Sequence, residues 1–452
     1  RVEALSRRTA SRSDSLFLLP VIWTLELPCT PPVRRNALSS NPMAEASDSQ
    51  RMVPARVGRA VDRIGALPDD VLRRVLSQLS SREAVHTCLL GQRWRDLWRS
   101  VPIINVSFGE FEDSDADDDV EDTFDREETF KKFVNRFLML RNPVGLDEFR
   151  LDYSSSTGDC PDDANLWISH VLQCNAWAVK VVNRGEPLKL APGVFSSSFL
   201  KRLHISSAIL VPGFFNQLQM GCPALKYLFL YDCDIMDHEI FSKTLEVLIL
   251  SEEVGFDDQA SISAPSLVTL SIEGNLCFGR LPILKNMASL ETASVLLSGD
   301  MTDFDGDAIR QLLAGLSDVR SLDFCYADRK LTMEKNFRWC LTFSNLINLT
   351  LYTWCVHADF YALIFFLQNS PNLKKLTLKL KQEGMSAITG ELEDRSFICE
   401  QLEIVEIICS ETSELLPRVT RFLLDSGIRN DQMRIVTGGN PMYQSPKTSL
   451  MF

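Results

Sequence analysis

The sequence predicts an α/β fold. A small N-terminal module of three helices leads into a solenoid of repeated strand-and-helix units, a curved parallel sheet with helices and turns outside. A C-terminal α+β cap closes the array. Three observations predict this. An L-x-x-L-x-L pattern, with other apolar residues allowed, recurs through most of the chain at intervals of about 20 to 30 residues. Ahead of it, residues 62–101 show helical apolar spacing on faces that so short a segment cannot bury alone. Behind it, residues 400–436 read as strand, helix, strand.

In the N-terminal module, Leu67-Pro68-Asp69-Asp70 opens a helix, because proline suits the first helical position and acids suit the helix dipole. Val71, Leu72, Val75, Leu76 and Leu79 then make one apolar stripe. Ser80 and Glu83 have capping-box spacing for a second helix, which Gly91 ends. Trp94, Leu97, Trp98 and Val101 fall at helical intervals, so a third helix is expected with both tryptophans on one face, stopped by Pro102. Two readings follow: a helical cap packed on its own chain, or a docking module whose leucines and tryptophans finish their burial against another protein.

The run LPDDVLRRVLSQLSSREAVHTCLLGQRWRDLW resembles the F-box, in the plant form that ends in RW…LW. It departs at Gly91-Gln92, where the family has Ser followed by a basic residue; a small loss of helix stability is expected there. The resemblance implies three helices that bind a Skp-type adaptor and through it a cullin–RING ubiquitin ligase. By that resemblance Leu67, Pro68 and Leu72 meet the adaptor, and Leu90, Trp94 and Trp98 complete the module behind them, partly as core.

The chain has 452 residues, enough for two or three domains, with 45% hydrophobic and 24% charged residues, an ordinary globular composition. A net charge of −13 argues against nucleic acid as the main ligand. The 12 cysteines form no C-x-x-C pair or zinc spacing, so buried free thiols in a reducing compartment, cytoplasm or nucleus, are expected. No apolar run reaches membrane-span length, and no membrane partner is expected.

The expected division is a disordered N-terminus over 1–61, an F-box over 62–105, an acidic disordered loop over 106–129, the solenoid over 130–399, the cap over 400–436 and a disordered tail over 437–452. Met43 is the first methionine and the expected start of translation, with a transit peptide as the alternative for residues 1–42. The loop assignment rests on the dense carboxylates of GEFEDSDADDDVEDTFDREE, which repel one another.

Strong copies of the repeat begin at Leu200, Leu225, Leu245, Leu267, Leu290, Val319, Leu346, Leu373 and Leu402, and weaker ones at Leu146 and Ala176. Their period is that of leucine-rich repeats. Pro223, Pro265 and Pro371 stand two residues before a first leucine, where proline ends a helix and opens a strand. Helical segments are expected between strands, as at 307–316 and 360–367. Residues 400–436 also resemble the FBD region that closes many plant F-box/leucine-rich-repeat proteins, which implies no chemistry.

Positions alternating with the motif leucines point to the concave face. One copy offers Tyr227, Phe229 and Tyr231 there, and a distant one offers Lys375, Thr377 and Lys379. Thr269, Ser271, Glu273, Thr292 and Ser294 lie between. Tyr227, Phe229, Tyr231, Lys375 and Lys379 are therefore candidate contacts for a client with an apolar knob and an acidic stretch. The alternative is that the aromatics cover surface beneath the acidic loop while the lysines are solvated. The five histidines (His86, His170, His204, His238, His357) are dispersed, and no nucleotide or hydrolase motif is present. Asp232, Cys233, Asp234, Asp237 and His238 form the densest set of possible ligands, read as a repeat turn. No catalytic residue, metal or cofactor is expected. The expected function is client recognition for a ubiquitin ligase, with a non-ligase scaffold or sequestering protein as the alternative.

Overall fold

In L-x-x-L-x-L the last two apolar residues are two apart and share one face of a strand. Neighbouring copies stack those faces into one core. A computed structural model describes residues 64–111, 120–154, 161–256, 260–274, 281–297, 306–326, 341–356, 360–380, 401–410, 413 and 415–437. Residues 1–63, the centre of the acidic block at 112–119, His357 and the tail from 438 lie outside the described residues. Among the described residues, thirteen strands form one parallel ladder: β1 Ile103–Ser107, β2 Glu148–Tyr153, β3 Ala178–Asn183, β4 Arg202–Leu210, β5 Tyr227–Ile235, β6 Val247–Ser251, β7 Thr269–Gly274, β8 Thr292–Leu297, β9 Ser321–Tyr326, β10 Asn348–Tyr352, β11 Lys375–Leu380, β12 Ile404–Cys409 and β13 Met433–Thr437.

All eleven copies supply strands of this ladder, and their motif residues align rung by rung. Phe149 stands beside Val179, then Leu203, Leu228, Leu248, Leu270, Ala293, Leu322, Leu349, Leu376 and Val405. Every motif residue is buried.

The helices are α1 Asp69–Leu76, α2 Ser81–His86, α3 Val120–Leu140, α4 Pro161–Gln173, α5 Phe214–Gly221, α6 Gly306–Gly315, α7 Tyr361–Gln368 and α8 Leu415–Asp425. The last six return the chain between ladder strands. In three units without a helix the return is a short strand (Glu239–Phe241, Ser261–Ser263, Ile283–Lys285), and these pair into a second parallel sheet.

The helical module shares the core of the first repeats. Leu72, Leu76, Ala84, Leu97, Trp98 and Val101 belong to the same buried cluster as Leu151 and Val179. Arg141 donates to the Val101 carbonyl at 2.9 Å, and the Trp98 and Phe137 rings lie 5.2 Å apart. The Ser80–Glu83 capping box forms as expected.

Several expectations are corrected. The third helix is two short 3₁₀ turns, Gln92–Arg95 and Leu97–Ser100, interrupted at Asp96. The three-residue period of that geometry still turns Trp98 and Val101 inward. The ladder begins inside the span assigned to the helical module, at Ile103. The acidic block is not loop throughout: α3 starts at Val120, and Lys131 and Lys132 pair with Glu127 and Glu128 one turn earlier at 2.9 and 3.4 Å. Glu127 is buried and accepts from the Tyr153 hydroxyl at 2.8 Å. Thr437, placed in the tail, ends β13.

One line of backbone strain crosses four strands. Ser206, Tyr231, Ser251 and Glu273 stand side by side, and the residue after each is left-handed: Ser207 (φ 53), Asp232 (φ 49), Glu252 (φ 67) and Gly274 (φ 104). The Ser207 hydroxyl donates to Asp232 across this line at 2.7 Å. Beyond it, β4 and β5 continue and take on the short partners Leu188–Leu190 and Gly255–Phe256. A Cβ at Gly274 would lie 2.5 Å from the Glu252 carbonyl oxygen. Gly274→Ala is therefore expected to destabilise the protein by about 2–4 kcal/mol through clash and left-handed strain together. Urea unfolding measures it, and a variant as stable as the parent refutes the assignment.

Candidate functional site

Two faces present side chains that the fold does not consume. The first is on α1. Its stripe splits: Leu72 and Leu76 are fully buried in the chain's own core, whereas Leu67, Val71 and Val75 remain 36%, 41% and 48% exposed. Four-residue spacing puts Val71 and Val75 on one side of the helix, and Leu67 stands two residues ahead of its start. The expected role of Leu72 in partner contact is thus corrected, since no atom of it is available. Pro68 is exposed and precedes the helix. Leu90, expected behind the module, is 69% exposed in the turn after α2, beside the more exposed Leu89. Trp94 is half-buried against the core, and Trp98 is core.

Arg93 holds this face in place. Its guanidinium donates to Asp69 at 2.7 Å and to the Leu67 carbonyl, tying the start of α1 to the first 3₁₀ turn. Sequence spacing carries no sign of this pair, 24 residues apart. Behind the module, Arg82 lies over the Phe111 ring at 4.6 Å and donates to the Glu110 carbonyl. Burial pushes the Glu110 carboxyl above its usual range, and the Ser80 hydroxyl donates to it at 2.8 Å.

The second face is the side of the ladder opposite the core. Phe229, Val247 and Ile249 form their own apolar cluster there, with Tyr227 and Tyr231 packed on it. Phe229 is only 4% exposed, because cross-strand neighbours His204 and Ile249 close over it at sheet spacing. Of the three aromatics expected to meet a client, Tyr227 and Tyr231 keep exposed surface and Phe229 supports them. The His204 ring stacks on Tyr231 at 4.8 Å. Burial, then the neighbouring Lys180 cation, lowers the His204 imidazole to about 3, so it is neutral near pH 7.

Lys375 and Lys379 are not solvated cations awaiting a ligand. Lys375 pairs with Glu406 on the next strand at 2.9 Å, and Lys379 lies 3.9 Å from Asp323 and donates to the Tyr352 hydroxyl at 3.1 Å. The expected grip on an acidic stretch at this end is corrected accordingly. The set read as a repeat turn has structural duties. Asp237 accepts from the Gly213 and Phe215 amides at the start of α5, Asp232 accepts from Ser207, and Cys233 is buried.

Asp323 is the most perturbed carboxylate of this face. Burial raises it from 3.8 to about 6, against the opposing pull of Lys379. A raised folded-state value means that its contribution to stability is present at low pH and is lost as pH climbs through 6. Asp323→Asn is therefore expected to stabilise the protein by about 1–3 kcal/mol near pH 8 and by almost nothing near pH 4. Urea unfolding at both values measures the difference; equal effects at the two would refute it.

Residues 64–105 match the F-box domain family. An F-box/FBD/LRR-repeat protein of Arabidopsis thaliana is 25% identical across 86% of this chain and 95% of its own length. A second is 28% identical across 72% of this chain and 73% of its own, and an FBD-associated F-box protein of the same plant is 25% identical across 82% and 88%. With the exposed face of α1 and the repeat ladder behind it, these matches identify a chain that carries an F-box domain at residues 64–105 and whose homologues over most of its length are plant F-box/FBD/LRR-repeat proteins.

Proposed function

We propose that this chain is the substrate-recognition subunit of a cullin–RING ubiquitin ligase. The F-box binds a Skp-type adaptor, and the repeat ladder holds a protein client. The observation that carries the reading is the split of α1, with Leu72 and Leu76 locking the module to its own repeats while Leu67, Val71 and Val75 stay in solvent. A row of aliphatic side chains kept on a rigid helix is what an adaptor interface needs, and water gains nothing from it. The chain's contribution to transfer is proximity: it holds the client near chemistry that other subunits perform.

The test is co-purification of the full chain with a Skp-type adaptor. Leu67→Asp/Val75→Asp is expected to abolish capture, because burying carboxylates in an apolar contact is costly, while the thermal unfolding of the chain stays that of the parent. Leu72→Asp is a poor probe, since it would unfold the module. Failure of the folded parent to capture adaptor would reject the ligase reading. Capture without client ubiquitination in the reconstituted ligase would favour a scaffold.

A further inference from the structure

The face opposite the core carries charge of both signs, nearly all of it paired. Glu148 binds Arg150 at 2.8 Å, and Asp152 binds Arg184 at 2.6 Å. Lys375 and Lys379 are paired as described. Two cations beside the aromatic cluster are different: among the described residues, Lys180 and Arg202 have no carboxylate partner. Arg202 is held between two rings, its guanidinium carbon 5.7 Å from the Trp177 centroid and 5.4 Å from that of Tyr227. Its backbone amide also bonds the Trp177 carbonyl at 3.0 Å. Its Nε is buried and makes no hydrogen bond within the described residues, so the two terminal nitrogens carry the N–H groups offered to a ligand.

Register fixes the geometry. Ala178 stands beside Arg202 and Lys180 beside His204, so the two cations are diagonal neighbours with Cα atoms about 8 Å apart, from strand spacing and rise. On the side toward β5 their surroundings are aromatic and uncharged, and on the side toward β2 Lys180 stands beside Arg150, which is paired with Glu148. Trp177 is 38% exposed, Tyr227 and Tyr231 are partly buried, and the stacked His204 is neutral. In an extended peptide, side chains two residues apart share a face and lie about 6–7 Å apart. Two carboxylates so spaced span Lys180 and Arg202, and the next side chain on that face reaches Tyr227, which stands beside Arg202.

We propose that this patch seats an extended client segment with two carboxylates two residues apart, followed after one more residue by an aromatic or aliphatic side chain. The inference rests on the reading of the ladder as a client receptor. It places the acid-binding end beside the aromatics and not at Lys375 and Lys379.

The test uses the full chain bound to its adaptor and fluorescein-labelled dodecapeptides of Gly and Ser carrying Glu-Ser-Glu-Ser-Phe, with Gln or Lys in place of Glu, or Gly in place of Phe. Fluorescence polarisation is expected to show the Glu peptide binding about tenfold more tightly than the Gln peptide, with the Lys peptide weaker still. Loss of Phe weakens binding without removing the acid preference. Lys180→Glu/Arg202→Glu is expected to invert the preference toward the Lys peptide, while Lys375→Gln changes nothing. Equal or absent binding of the Glu and Lys peptides up to about 1 mM, or a preference that survives charge reversal, overturns the proposal. Adaptor retention, read in the same samples, tells a failure here from a failure of the ligase reading.

Discussion

The structure depends on the register of its parallel ladder. A strand slipped by one residue would send its motif leucines to the opposite face and bring polar side chains into the core. Twelve successive pairings keep register, and Leu, Val, Ile or Phe fill nearly every rung, with Ala293 the small exception. No repeat buries its own apolar face, so each is stable only between neighbours, and the two ends must be covered by something that is not a repeat. At the C-terminal end β13 and α8 do this, with Val419, Phe422 and Leu423 buried. At the other end the F-box does it.

That second duty explains why the F-box departs from a free-standing three-helix module. Its last residues are already β1, and Ile104 and Val106 pack as the first rung beside Phe149 and Leu151. Trp98 belongs to the same core, against Phe137 of α3. Shortening the third helix to 3₁₀ turns lets the chain enter the sheet within a few residues. One small segment thereby caps the array with one side and presents Leu67, Val71 and Val75 with the other. For a receptor of the kind proposed, the adaptor face and the client face are then joined through a continuous packed core and not through a linker, which preserves a fixed transfer geometry.

What was legible in the sequence was whatever repeats or obeys a local rule. The eleven rungs, the capping box at Ser80, the helices near 307–316 and 360–367 and the closing strand–helix–strand all follow from periodicity and turn chemistry. Contacts between distant residues left no such mark. The division of the α1 stripe depends on which side the repeats occupy, and Val71 and Leu72 look alike until that is known. The acidic block looked like a loop because its carboxylates repel; the partners that stabilise its second half, Lys131, Lys132 and Tyr153, lie beyond it. The line of left-handed residues at Ser207, Asp232, Glu252 and Gly274 involves four different residue types, of which only the glycine hints at its conformation.

The same limit governs the charges. Read along one strand, Lys375 and Lys379 are two cations on an exposed face. Read across the sheet, Lys375 meets Glu406 and Lys379 meets Asp323, and their charge is spent within the fold. Across the strands Arg202 meets Ala178 and Tyr227, and Lys180 meets Arg150, already paired with Glu148, and a neutral His204. Each strand pair thus decides whether a basic residue is structural or available, and sequence order alone assigns it wrongly. In a chain of net charge −13 most of the surface repels an acidic partner. Two uncompensated cations beside exposed aromatic rings consequently act as a local exception, and their value for recognition comes from that contrast more than from their number.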